Sequence, residues 1–116
     1  MATTPAVIHL QDDIAYFHCP ACRNAHGPAV NGTTLRTGAK WDWNGDLVRP
    51  TFHPSILVRA TKPITDEEVE RIMAGEKIEP IPTVCHSFVR DGQIEYLPDC
   101  THHLAGQTVP LEPWDD

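Results

Sequence analysis

The feature that most constrains this chain is a Cys-x-x-Cys turn, Cys19-Pro20-Ala21-Cys22, followed by His26. It closes an apolar run, Ile14-Ala15-Tyr16-Phe17, whose β-branched and aromatic residues predict a strand. A tight turn at a strand end aims two thiolates at one point, as in a zinc knuckle. Two sulfurs do not complete a tetrahedral site, so the fold must bring further ligands from elsewhere in the chain. Cys85-His86 and Cys100-Thr101-His102-His103 offer them. All four cysteines lie in these clusters, and five of the seven histidines accompany them, which makes metal binding the first expectation.

A chain of 116 residues is one small domain, expected to span 1–116, and a metal staple suits that size because binding free energy becomes folding free energy. The formal charge of −7, from nine basic and sixteen acidic residues, argues against nucleic acid as a partner, since phosphate binding needs a basic surface. No apolar run approaches the roughly 20 residues of a membrane span. The first residues lack the charged and apolar regions of a secretory signal, so a cytoplasmic location is expected. In that compartment reduced cysteines holding zinc are favoured over two disulfides.

The fold class expected is mostly β: a small antiparallel domain stapled by zinc, with one short inserted helix. Residues 7–10, 14–18 and 56–59 read as strands. Asn44-Gly45 suggests a tight hairpin within Trp41–Val48, with Trp41 and Trp43 on one face, either in the core or as a binding surface. Pro50 and Pro54 make 49–55 an extended loop along which Thr51, His53 and Ser55 alternate and could line a pocket. Residues 62–82 change character. Thr65-Asp66-Glu67-Glu68 fits a capping box, Val69, Ile72 and Met73 share a helical face, and Gly75 fits the C-terminal cap, which predicts a helix near 66–74. The acidic end, 112–116, is expected to fray.

The last cysteines sit on a hairpin. Asp91-Gly92 is a two-residue turn signal that pairs Arg90 with Gln93, and counting back pairs Cys85 with Pro98 and His86 with Leu97. On that register Cys85 and Cys100 share one face, and His86 faces the other way beside Leu97 and Asp99. Two sulfurs converge for metal while His86 and Asp99 form a separate polar pair.

Taken together, Cys19-Pro20-x-Cys22, His26-Gly27, Trp41-x-Trp43-Asn44-Gly45, Pro50-Thr51-Phe52-x-Pro54-Ser55, Cys85-His86-Ser87-Phe88 and Leu97-x-Asp99-x-Thr101-His102-x-Leu104-Ala105-Gly106 resemble a family. It is a family of small phage and prophage proteins of unknown function, often labelled "ammonia monooxygenase". That label names a membrane copper enzyme, which this chain has no span to match. The resemblance implies that Cys100 is replaceable by Ser, so that His102 or His26 completes the metal site. Relatives beside ubiquitin-like conjugation genes imply peptidase or modifier-linked roles.

Two functions follow as expectations. One is a zinc-stabilised module that binds a host or phage protein, with Cys19, Cys22, Cys85 and Cys100 around the ion, or His102 in place of Cys100. The alternative is a peptidase-like zinc hydrolase acting on ubiquitin-like or peptide substrates, with His26, His86 and Asp99 as the acid–base group. There is no His-Glu-x-x-His helix and no zinc-deaminase signature to favour the second.

Overall fold

The computed structural model describes residues 5–114. In chain order its elements are β1 (His9–Gln11), β2 (Ile14–His18), β3 (Ala25–His26), β4 (Asp42–Trp43), β5 (Phe52–His53), β6 (Ile56–Thr61), α1 (Asp66–Met73), β7 (Pro82–Arg90), β8 (Gln93–Tyr96) and β9 (Thr108–Pro110). They form three antiparallel sheets, ordered β1-β2-β3, β4-β5 and β6-β7-β8-β9. The expected class, mostly β with one short helix, is what the chain adopts.

The largest sheet positions everything that follows. Along β7 the side chains alternate: Cys85, Ser87 and Val89 are buried, while Val84, His86 and Phe88 are only half-buried on the other face. Ile94 and Tyr96 of β8 join the buried side. The core they enter includes Phe17 and Phe52 from the smaller sheets and Val30 from the segment after β3, all fully buried. Phe17 and Phe52 stack with ring centroids 6.3 Å apart, and Trp43 stacks on Phe52 at 6.3 Å, so Trp43 belongs to the edge of the core.

The Asp91-Gly92 hairpin has the register expected, Arg90 opposite Gln93 and Ser87 opposite Tyr96. Gly92 is required: at φ 79° an added Cβ would lie 3.1 Å from the Arg49 Cα. Asn44-Gly45, by contrast, does not make a tight hairpin. Asp42–Trp43 pairs instead with Phe52–His53, enclosing a wider loop. The Asn44 side chain holds that loop, donating to the Arg49 carbonyl (3.1 Å) and accepting from the Asp46 and Thr51 amides (3.1 Å each). Pairing with a distant strand buries Phe52, which a local hairpin could not. Leu35–Gly38 forms a turn, the Gly38 amide donating to the Leu35 carbonyl at 2.8 Å. Trp114 is docked rather than frayed, its amide bonded to the Ala6 carbonyl at 2.9 Å and its ring stacked on His18; Asp115 and Asp116 lie outside the described residues.

The helix forms where its capping box predicts, with Thr65 accepting from the Glu68 amide and Glu68 reaching back to Thr65. Its apolar face does not pack: α1 has no buried residue, and Met73 is 83% exposed. Beneath it β6 and β7 stay paired as far as Thr61 and Pro82. Replacing 62–81 by Asn-Gly should therefore leave a folded protein whose melting temperature falls by no more than a few degrees. Loss of the folded near-ultraviolet circular dichroism would contradict this.

Candidate active site and metal centre

Two clusters lie on opposite faces of β7, set by the neighbours Cys85 and His86.

On the core face, Cys19, Cys22, His26 and Cys85 bring their ligand atoms within 4.8 Å of one another. The knuckle after β2 supplies the first two, folded back by the Cys19 amide on the Asn24 carbonyl and the Arg23 amide on the Cys19 carbonyl, 2.9 Å each. β3 pairs with β2, setting His26 opposite Phe17 and beside the sulfurs. The four cysteines are free thiols. Cys19 Sγ lies 3.9 Å from Cys85 Sγ, close to the roughly 3.8 Å that zinc–sulfur bonds of about 2.3 Å impose in a tetrahedron. The His26 Nε2 atom is buried with no hydrogen-bond partner, so a cation would satisfy a group that protein does not.

The group is also electrostatically prepared. The Cys19 pKa is held down at about 3, first by its contact with Cys85 and less by the nearby His26 and Tyr96, against the effect of burial. Tyr96 Oη lies 3.0 Å from Cys19 Sγ and accepts from the Ala21 amide at 3.3 Å. Burial, then repulsion from Cys19, raises Cys22 to about 11, and the Cys85 thiol is raised by its bond to Cys19 and by burial. A metal ion bound here would draw the remaining protons from these sulfurs.

The fourth member is thus His26, which the sequence had offered both for acid–base work and as an alternative ligand to Cys100, and Cys100 lies outside the group. The β8 ladder ends at Tyr96, and the chain turns at once, Cys100 N–H donating to the Leu97 carbonyl at 3.1 Å. That turn lifts Cys100 off the strand register on which its convergence with Cys85 depended. Its sulfur instead accepts from the His86 amide and donates to the His86 carbonyl, both at 3.2 Å. His102 packs edge-on against Tyr96, ring centroids 4.5 Å apart, and is likewise outside the four. Cys100→Ala should leave the metal content per chain unchanged by elemental analysis, whereas a four-sulfur site would lose it.

On the other face, His86 Nδ1 is 3.1 Å from Asp99 Oδ2, and His86 Nε2 is 3.0 Å from Ser55 Oγ. The register explains the second contact. Leu57 pairs with His86, so Ser55 lies diagonally across on the same face, within reach of the imidazole. Leu97, across from His86 with its amide 2.9 Å from the His86 carbonyl, puts Asp99 on that face as well. Thr101 closes the turn behind Asp99, exchanging bonds of 3.0 Å with the Val84 backbone. The Ser55 loop is fixed from two sides. The Trp41 indole donates to the Ser55 carbonyl at 3.2 Å, and the Asp91 and Gly92 amides bond Thr51 Oγ1 (2.9 Å) and the Pro50 carbonyl (3.0 Å). With the Nδ1 proton donated to Asp99, Nε2 is the acceptor for the Ser55 hydroxyl.

The family model for the bacterial ubiquitination-like system serine protease, BubE, matches residues 2–97. The chain belongs to the BubE family. No curated protein and no solved structure matches it.

This corrects two expectations. The family is not the phage group of unknown function that the motifs suggested, and a serine-protease family replaces the reading as an interaction module. The hydrolase alternative lies nearer to BubE, although the family's chemistry is a serine's and His86 and Asp99 stand across the sheet from the Cys19, Cys22, His26 and Cys85 group. The Ser55–His86 contact was not foreseen. Ser55 had been noticed only as one of three alternating loop residues, and its partner His86 is fixed by a β6–β7 pairing that spans the helical arm. The chain has only two serines, however, and Ser87 is fully buried on the core face. Of the two, only Ser55 lies outside the buried core. Among the described residues, no helix is long and apolar enough to cross a membrane.

Proposed function

We propose that this chain is a serine peptidase of a ubiquitin-like conjugation system, with Ser55 as nucleophile, His86 as general base and acid, and Asp99 as the group that orients His86. The observation that carries it is the continuous Asp99–His86–Ser55 hydrogen-bond chain, at 3.1 and 3.0 Å. Triads are recognised by geometry and roles rather than by order along the chain.

In this reading Ser55 Oγ attacks the scissile carbonyl while its proton passes to His86 Nε2. Asp99 keeps the Nδ1 proton in place and stabilises the imidazolium. His86 then gives the Nε2 proton to the leaving amine, and the acyl group stays on Ser55 as an ester. Water, deprotonated by His86, hydrolyses that ester and restores the hydroxyl. Cys100 holds the His86 backbone from behind. A protein or peptide of the conjugation system is the substrate class that the family's description supports.

Zinc is the metal we assign to Cys19, Cys22, His26 and Cys85, because three thiolates and an imidazole form a closed tetrahedral set for that ion. With four protein ligands its part is structural: it ties the knuckle to β7 and so steadies the strand that carries His86.

The test is a stopped-flow burst with p-nitrophenyl acetate. Wild-type protein should release one nitrophenolate per chain in a fast phase as Ser55 is acylated, and Ser55→Ala should lose that phase with its metal content intact. A burst of equal size in Ser55→Ala would overturn the assignment.

A further inference from the structure

We infer that the groove between β6 and the Ala25–Leu35 segment binds an extended stretch of the substrate and seats an uncharged, apolar side chain beside the scissile bond. This rests on the assignment of Ser55 as nucleophile and adds what that serine is offered.

A cavity of about 240 Å³ lies in this groove, lined by Gly27, Pro28, Leu35, Trp41, Ile56 and Leu57 among others. Small-molecule sites run to roughly 300–1,000 Å³, so this space suits one or two side chains rather than a whole cofactor. None of its lining residues carries a carboxylate, ammonium or guanidinium, in a chain with a formal charge of −7. Its only titratable member, His26, is turned toward the sulfurs of the metal group. A charged side chain entering it would lose its hydration without gaining a partner.

Three observations join the cavity to the triad. Trp41, in its wall, donates its indole N–H to the Ser55 carbonyl at 3.2 Å. Leu57, 43% exposed, is the cross-strand partner of His86 and so shares its face. Ile56, the next wall residue, follows Ser55 directly and begins β6. That strand is the outermost of its sheet, and its first three residues, Ile56, Leu57 and Val58, line the cavity. An exposed edge accepts an extended segment as an added strand, the main chain supplying affinity and alternate side chains entering pockets. A segment laid along β6 has its backbone led to Ser55 Oγ at the strand's start, with a side chain over Leu57 and Trp41.

Binding of capped peptides to the Ser55→Ala protein tests this, since no acyl transfer can consume them there. Two peptides identical except for a central Leu or Glu are titrated, followed by tryptophan fluorescence and amide chemical shifts. The Leu peptide should bind at least roughly tenfold more tightly, with shifts at Ile56–Val58 and Leu35–Trp41. Leu57→Glu, or the milder Leu57→Gln, should remove most of that preference at an unchanged melting temperature. Equal affinity for the two peptides, no binding of either, or a preference indifferent to Leu57 would overturn the inference. The p-nitrophenyl acetate burst carries no peptide side chain, so its absence in wild type would refute the nucleophile while these titrations still judge the groove.

Discussion

Replacing His86 by Ala should slow acylation of Ser55 by p-nitrophenyl acetate roughly 10²–10⁴-fold, the range that positioned general bases supply. Metal content should not change, because His86 projects from β7 on the face opposite Cys85. The change also empties a half-buried surface position rather than a core one, so the melting temperature should move by only a few degrees. Residues that act as a unit are not additive. The Ser55→Ala/His86→Ala double variant should therefore be no slower than Ser55→Ala alone. Asp99 is 58% exposed, so water substitutes for part of its role, and Asp99→Asn should cost less than His86→Ala. Burst kinetics on the four proteins check all of this. A fully active His86→Ala would break the triad.

The second large effect concerns the metal. Cys19 touches both Cys85 and the neighbouring Tyr96 and sits buried at the junction of the knuckle with the core. Structural zinc contributes an apparent 10–16 kcal/mol in small domains, with about 1 kcal/mol shifting the melting temperature by about 4 °C at this size. Cys19→Ser, which leaves a poorer ligand rather than none, should lower the transition by roughly 10–20 °C and reduce zinc below one per chain. Calorimetry with elemental analysis reads both quantities. Chelation of the wild type, which removes the ion altogether, should give a larger shift, and the Ser55 burst should fade with it as β7 loosens. A chelated protein that melts unchanged would mean that the Cys19, Cys22, His26 and Cys85 group does not hold a stabilising ion.

Much of this was written locally in the sequence. The capping box at Thr65 and the Asp91-Gly92 turn are short-range signals, and each element formed where its signal stood. The same turn fixed which side of β7 each residue faces, so the opposition of Cys85 to His86 and the His86–Asp99 contact were legible before any coordinates. The errors came where a long-range pairing overrode a local preference. Asn44-Gly45 yielded to the burial of Phe52 against the core, and the turn at Leu97–Cys100 carried Cys100 off the ladder. Ser55 was missed for the same reason. Its meaning depends on β6 finding β7 across the helical arm, and no local pattern at Pro54-Ser55-Ile56 announces a base lying diagonally across that sheet. His26 was read both as acid–base machinery and as an alternative metal ligand because histidine serves both trades, and the β2–β3 pairing places it among the sulfurs.

The measurement that bears most directly on the account is the mapping of a fluorophosphonate adduct by mass spectrometry. The reagent phosphonylates only an activated serine, and the chain offers two, Ser55 on the triad face and Ser87 buried in the core. One adduct per chain on the peptide containing Ser55, lost in His86→Ala, is the result the triad predicts. An unlabelled Ser55 in a protein that still hydrolyses p-nitrophenyl acetate would contradict it.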